Sequence, residues 1–445
     1  MRKDNTESQN FPYTFQCDEG EKSSLLNKKH GMGVLVTILF IAGENAGCGI
    51  LALPYAFNQA GWYSLPLMIV SCFDAGICGI LIGKCWMILE ERWPEFRENC
   101  RYPYPAIGKM AYGNWMRGVV TFCLQTSLFG SSTVFLLICA GLIEEFSGQF
   151  IKLPFSVWIL IIGTILIPLM WLGSPGEMWF AAAAALGTTF IAITLILVDI
   201  MSDYAKLENH PPTSSPTIGT VSLAFGTFIF SFGGTAALPT FQNDMRDKSK
   251  FTHSVVIGFL TLLTLYIPIA IMGYITYGLG VKDNIISSIP NGIKKDTAIL
   301  LFSVHLIFAF IIVINGAVQE IEGKFGVPDS FGWKRVSIRT VCMIFVIFIG
   351  ESIPRFGKIL DLMGGSAVTM LAYILPPLFY MKLCSMHNES WPERKVTILE
   401  KIYYYKIIIV GVVGGISCTF WALKAILAPG AFSLPCYIDI HCSNE

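Results

Sequence analysis

The sequence predicts an all-α membrane protein of about eleven transmembrane helices. Three observations carry this. Of 445 residues, 53% are hydrophobic and only 14% charged, with a mean hydropathy of +0.59, against roughly 25% charge in a soluble domain. Apolar runs of about 20 residues, enough to cross a hydrocarbon core of about 30 Å as a helix, recur from Gly31 almost to the C-terminus. Two of these runs are interrupted by glycines at corresponding positions in the two halves of the chain.

Residues 1–30 are polar, with Asp4, Asn5, Glu7, Asp18, Glu19 and Glu21, and lack the short apolar core of a cleaved signal peptide. They read as a disordered cytoplasmic tail. Within it, Glu21-Lys22-Ser23-Ser24-Leu25-Leu26 is similar to an acidic dileucine sorting signal, so an endosomal or lysosomal membrane is expected beside the plasma membrane. The transmembrane domain then spans 31–430, and 431–445 form a short extracellular or lumenal tail where Cys436 and Cys442 can pair. Most of the other cysteines lie in apolar spans, where a thiol behaves as a small hydrophobe.

Apolar length and charged or Pro/Gly-rich breaks place the spans at 32–58, 64–89, 118–143, 155–172, 178–201, 219–240, 254–277, 297–318, 336–353, 358–381 and 404–427. With the N-terminus in the cytoplasm, only eight of the 31 lysines and arginines fall outside. The positive-inside rule therefore selects N-in and C-out. Acidic and basic residues balance at 31 each, so no overall charge draws the chain to nucleic acid.

The first span contains Gly43-Glu44-Asn45-Ala46-Gly47-Cys48-Gly49, followed by Pro54. Glycine lowers helix stability by about 1 kcal/mol, and a central charge costs roughly 2.5 to 3.5 kcal/mol on insertion scales. Gly43 and Gly47 alone would mean only close helix packing, as in GxxxG. The sixth span, however, carries Phe230-Ser231-Phe232-Gly233-Gly234-Thr235 and Pro239, with Gly234 five residues before proline just as Gly49 precedes Pro54. Separated by five crossings, the two interrupted helices run in opposite directions. Such pairs mark a midplane substrate site, since unwound backbone exposes N–H and C=O groups and half-helix N-termini attract carboxylates. The GxGxxA pattern of Gly47 to Ala52 follows no strand and signals no dinucleotide site.

Two stretches carry a resemblance to the amino acid/auxin permease family of transmembrane amino acid transporters. One is Gly47-Cys48-Gly49-Ile50-Leu51-Ala52-Leu53-Pro54-Tyr55-Ala56, and the other Tyr104-Pro105-Ala106-Ile107-Gly108-Lys109-Met110-Ala111-Tyr112-Gly113. The resemblance implies a LeuT-like fold of two inverted five-helix repeats plus one extra helix, moving amino acids by alternating access. It also implies that Gly43, Asn45, Ala46, Gly47, Cys48 and Gly49 offer backbone groups to the substrate's carboxylate and amine. Phe230, Ser231, Phe232, Gly233, Gly234 and Thr235 would face it, with Phe232 as a gate or simply packed. In sodium-coupled relatives an asparagine precedes the first-helix motif; alignment puts Gly43 there, with Asn45 displaced. The central eighth span, Leu306 to Gly316, lacks serine and threonine. A sodium site is not expected.

Glu44, Asp74 and His305 are the ionisable side chains expected deepest, where such groups face a cavity or a partner. Glu44 and then His305 are the candidates for proton coupling, His305 because its unperturbed pKa of about 6.5 suits a relay. Asp74 reads as a hydrogen-bonding link to a neighbouring helix. Arg355, Lys358 and Asp361 sit where ordinary solvation at an outer boundary would explain them. No HExxH occurs, and no two histidines lie within one helical turn, so neither an enzyme nor a resident metal or cofactor is expected. An amino-acid-sensing receptor with little net transport is the alternative to a carrier. An accessory subunit leaves no mark in the sequence.

Overall fold

The computed structural model describes residues 31–97, 100, 102–171, 179–209, 211–328 and 332–428. The dileucine at Leu25 and Leu26, and Cys436 and Cys442, lie outside them. Among the described residues the chain is helical from end to end, with one isolated β-bridge between Met32 and Met245.

Two short helices share the first span: α1 (Val34–Asn45) and α2 (Gly49–Ala60). Gly61, at φ +56°, turns the chain into α3 (Ser64–Arg92). Left-handed backbone of this kind is routine only for glycine. An amphipathic helix, α4 (Pro103–Tyr112), carries the second family-like motif and leads into α5 (Asn114–Ser147). Next come α6 (Phe155–Trp171) and α7 (Trp179–Tyr204). The sixth expected span is again divided, into α8 (Ile218–Ser231) and α9 (Leu238–Asn243), with a reciprocal Thr217–Thr220 capping box starting α8. Beyond it lie α10 (Phe251–Tyr277), α11 (Ile293–Lys324) and α12 (Trp333–Ser352). The tenth expected span is α13 (Phe356–Met363), two π-helical turns (Gly364–Val368 and Met370–Ile374) and α14 (Leu375–Ser385). The last helix is α15 (Ile398–Ile426).

Eight helical stretches among the described residues are long and apolar enough to cross a membrane. One of them, Gly49–Arg92, has 44 residues, about 66 Å of helix and twice a hydrocarbon core, and it turns at Gly61. The shorter apolar helices Val34–Asn45 and Phe155–Trp171 fall on the first and fourth expected spans.

The helices pack as two groups. In one, α1 lies against α10, α2 against α8 and α10, and α3 against α8, α10 and α14. In the other, α5 packs on α6 and α11, and α12 on α6. Buried polar contacts link elements that hydropathy alone cannot pair. Asp74 on α3 accepts both from Lys406 Nζ (2.7 Å to each carboxylate oxygen) and from the Tyr403 hydroxyl (2.7 Å), tying α3 to α15 as a helix-linking role requires. At the end of the bundle that holds Met32, the Met32 N–H donates to Asp244 O (2.9 Å) and Arg246 N–H to Met32 O (3.1 Å). This short backbone pairing joins the start of α1 to the end of α9.

Candidate functional site

The two interruptions meet. Gly49 opens α2 so close to the end of α8 that a Cβ on it would lie 2.6 Å from Ser231 Oγ and 2.9 Å from Ser231 Cα. Gly234 answers from the other break, where a Cβ would lie 2.6 Å from Asn45 Nδ2. Glycine is required at both positions because another chain segment occupies the space of a side chain.

Unwinding leaves carbonyls at the ends of α1 and α8 without helical partners, and the structure supplies them from a third helix. The Tyr266 hydroxyl on α10 lies 2.6 Å from Asn45 O and 3.1 Å from Ser231 O, and so can donate to either. The Asn45 amide completes the joint: its Nδ2 donates to Ile41 O (2.8 Å), and its Oδ1 accepts from the Gly234 N–H (2.9 Å). Ser231 Oγ donates to Thr227 O (2.8 Å). Phe232 is fully buried, 5.2 Å from the Tyr266 ring and stacked on Phe259 at 6.4 Å. Its position is that of a packed aromatic holding α10 against the break.

The remaining expected residues divide. Ala46, Gly47, Cys48 and Thr235 are buried at the break, whereas Gly43, Phe230, Gly233 and Gly234 are partly accessible. His305 on α11 is buried, with its ring 5.7 Å from Phe302. Its Nε2 would lie 3.8 Å from a Cβ on Gly47, as would Phe135 Cε1 on α5. The second helix group thus reaches the first break through His305 and Phe135. Glu44, one residue before Asn45, is exposed.

A family model described as transmembrane amino acid transporter protein matches residues 30–422. The chain belongs to this family. Curated relatives agree: the Amino acid transporter AVT1J of Arabidopsis thaliana is 25% identical over 86% of this chain and 89% of its own length. The Vacuolar amino acid transporter 4 of Saccharomyces cerevisiae is 25% identical over 85% of this chain and 57% of its own. Among solved structures, MhsT in complex with L-phenylalanine superposes with a TM-score of 0.53 at 13% identity, covering 87% of this chain and 98% of MhsT. Mhp1, a nucleobase-cation-symport-1 family transporter, gives 0.51 at 14% identity, covering 89% and 92%. The fold is therefore that of the LeuT-like transporters. This member of the transmembrane amino acid transporter family is a transporter and not an enzyme.

Sequence reasoning passed over two of this transporter's buried polar groups. One is Tyr266, whose only local signal was a phenol inside an apolar span, where a buried hydroxyl must find a partner. The other is Asp361, expected to be solvated beside Arg355 and Lys358. It is 7% exposed and accepts from the Thr227 hydroxyl on α8 (2.7 Å). It lines a cavity of about 140 Å³ with Tyr55, Thr227, Asp283, Arg355 and Lys358, at the end of the bundle opposite Met32. The reason is geometric: Asp361 lies two helical turns inside Pro354, on the face of α13 that packs on α8. Lys358 Nζ donates to Ala425 O at the end of α15 (3.0 Å). In the loop above, burial pushes the Asp283 carboxyl above its ordinary value, against the pull of Arg355 and Lys358.

Proposed function

We propose that this chain carries amino acids across its membrane by alternating access, in symport with protons. The observation that carries the reading is the meeting of two oppositely directed interrupted helices at the centre of a LeuT-like fold, in a chain whose family is named for amino acid transport. The N-terminal turn of α2 turns peptide N–H groups toward a substrate carboxylate. The substrate's ammonium competes for the carbonyls of Asn45 and Ser231 that Tyr266 now bridges. Eleven crossings, with the N-terminus cytoplasmic, complete the topology.

Coupling is assigned first to Glu44 and second to His305. A carboxylate facing hydrocarbon costs roughly 2.5 to 3.5 kcal/mol, so the exposed side chain of Glu44 is read as lining a water-filled passage beside the break. If protonation favours binding on one face and deprotonation favours release on the other, proton and amino acid move together by linkage. Uptake of a panel of radiolabelled amino acids into proteoliposomes should persist when choline replaces sodium and rise with an inward proton gradient. Glu44→Gln should blunt that rise. Strict sodium dependence would remove proton symport from the account.

An endosomal or lysosomal membrane is supported by the dileucine string and by the vacuolar name of a relative. Replacing Leu25 and Leu26 by alanine should move a fluorescently tagged chain to the cell surface. An unchanged distribution would leave the string without a role.

A further inference from the structure

Asp361 is a carboxylate at membrane depth that neither the substrate site nor the bundle's ion pairs use. It faces the cavity from α13, and each packed element contributes a defined set of groups. Helix α8 offers the Thr227 hydroxyl, α2 offers Tyr55 and Gln59, the loop before α11 offers Asp283, α13 offers Lys358, and its N-cap is Arg355. The Cys418 thiol on α15 donates to Asp361's main-chain oxygen (3.3 Å). From α5, Gly130 packs against Met363 and brings no charge. Among the described residues, no basic nitrogen forms an ion pair with Asp361, and its hydrogen-bond partner is a neutral hydroxyl. A buried carboxylate without a cation is stabilised by taking up a proton, and the cavity gives that proton a route.

The same carboxylate is wired to the break. Thr227 donates its hydroxyl to Asp361 and accepts Ser231 Oγ at its carbonyl (2.8 Å); the Ser231 carbonyl shares the Tyr266 hydroxyl with Asn45. Around this line there is little slack: Gly226 has no room for a Cβ against Asp361 O (2.8 Å), nor Gly364 against the Gly226 carbonyl. The chain then passes into a π-helical turn, where the Thr369 hydroxyl reaches back five residues to Gly364 O (2.5 Å). Such turns recur at functional sites.

We infer that Asp361 is a second proton-binding site of the transport cycle, loaded from the far-end cavity and coupled to the substrate break through Thr227. The inference rests on the proton-symport reading and adds a group to it on the opposite side of the break from Glu44. Protonation takes a proton from cavity water onto the carboxylate and ends its charge-assisted bond from Thr227, loosening the last turns of α8 against α13. Deprotonation restores the grip.

The test uses the full chain in proteoliposomes with whichever radiolabelled amino acid the wild type accumulates. Under an inward proton gradient, Asp361→Asn should gain clearly less stimulation than the wild type, with Glu44 still in place, while exchange of labelled for unlabelled amino acid at equal pH persists and varies less steeply with pH. Thr227→Val keeps the carboxylate but removes the bond that favours its charged form. The midpoint of the uptake–pH profile should then move to higher pH by about one unit. A wild type indifferent to the gradient overturns proton symport and this site together. A responsive wild type with an equally responsive Asp361→Asn overturns this site alone. Should Asp361→Asn support no exchange at all, the Thr227→Val profile decides: a shifted midpoint supports the assignment and an unmoved one overturns it.

Discussion

Vesicles reconstituted with Gly49→Val are expected to take up no more labelled amino acid than empty ones. The new Cβ would stand 2.6 Å from Ser231 Oγ and 2.9 Å from both Ser231 Cα and Cβ. Those atoms are not the free end of a flexible chain, so α2 and α8 must separate by several tenths of an ångström. That separation falls on the joint where Asn45 accepts from Gly234 and Tyr266 bridges two carbonyls, and small misplacements of positioned groups are enough to abolish function. The variant should still reach the membrane and elute as a single species in detergent, because the long helices of the second group do not touch the substitution. Gly47→Ala separates position from crowding: its Cβ would meet nothing closer than 3.8 Å, so any fall in uptake there reports on the space facing His305 and Phe135 that is proposed for the substrate. Normal uptake by Gly49→Val would mean that the break can open without harm and that the site lies elsewhere.

The glycine pattern located this joint. Gly49 and Gly234 were expected where backbone approaches a substrate. In the structure each approaches the opposite interrupted helix, so the spacing to proline marks where the two breaks cross. Hydropathy located the helices because transfer free energy depends on composition within one window. It could not find Tyr266, since the carbonyls it satisfies belong to residues 221 and 35 positions away. Nor could it place Asp361 correctly. Asp361 shares a short segment with Arg355 and Lys358 and so resembled a boundary, yet the face it occupies on α13 is the one pressed onto α8. For Asp361 depth along the helix was legible and direction around it was not, because direction is set by partners distant in sequence.

The largest stability effect is expected at Glu322. Arg339, 1% exposed, donates Nε and Nη2 to the two Glu322 oxygens at 2.7 and 3.1 Å, and Nη1 to Met170 O at 2.6 Å. Three helices, α6, α11 and α12, are thereby joined at one guanidinium. Removing the carboxylate in Glu322→Ala leaves that cation buried with a single carbonyl and also takes the carboxylate from the buried Arg335, whose Nε lies 3.7 Å from Glu322 Oε1; breaking such a pair costs about 3 to 5 kcal/mol, a large share of a typical folding free energy of about 5 to 15 kcal/mol. The variant's melting temperature in detergent should fall steeply, and its yield of monodisperse protein with it. A like-for-like contrast is Glu91→Ala, whose partner Arg394 is 36% exposed at 2.5 Å; exposed pairs contribute about 0 to 1 kcal/mol, so that melt should hardly move. The physical cause can be separated from simple loss of packing by a second change. If the cost of Glu322→Ala is the stranded charge, Glu322→Leu combined with Arg339→Met should recover part of the lost stability, with Arg335 still missing the carboxylate, since apolar side chains of similar volume can replace a buried ion pair. Equal melting of Glu322→Ala and Glu91→Ala would instead show that water reaches Arg339 and that the α6–α11–α12 joint is not buried as described.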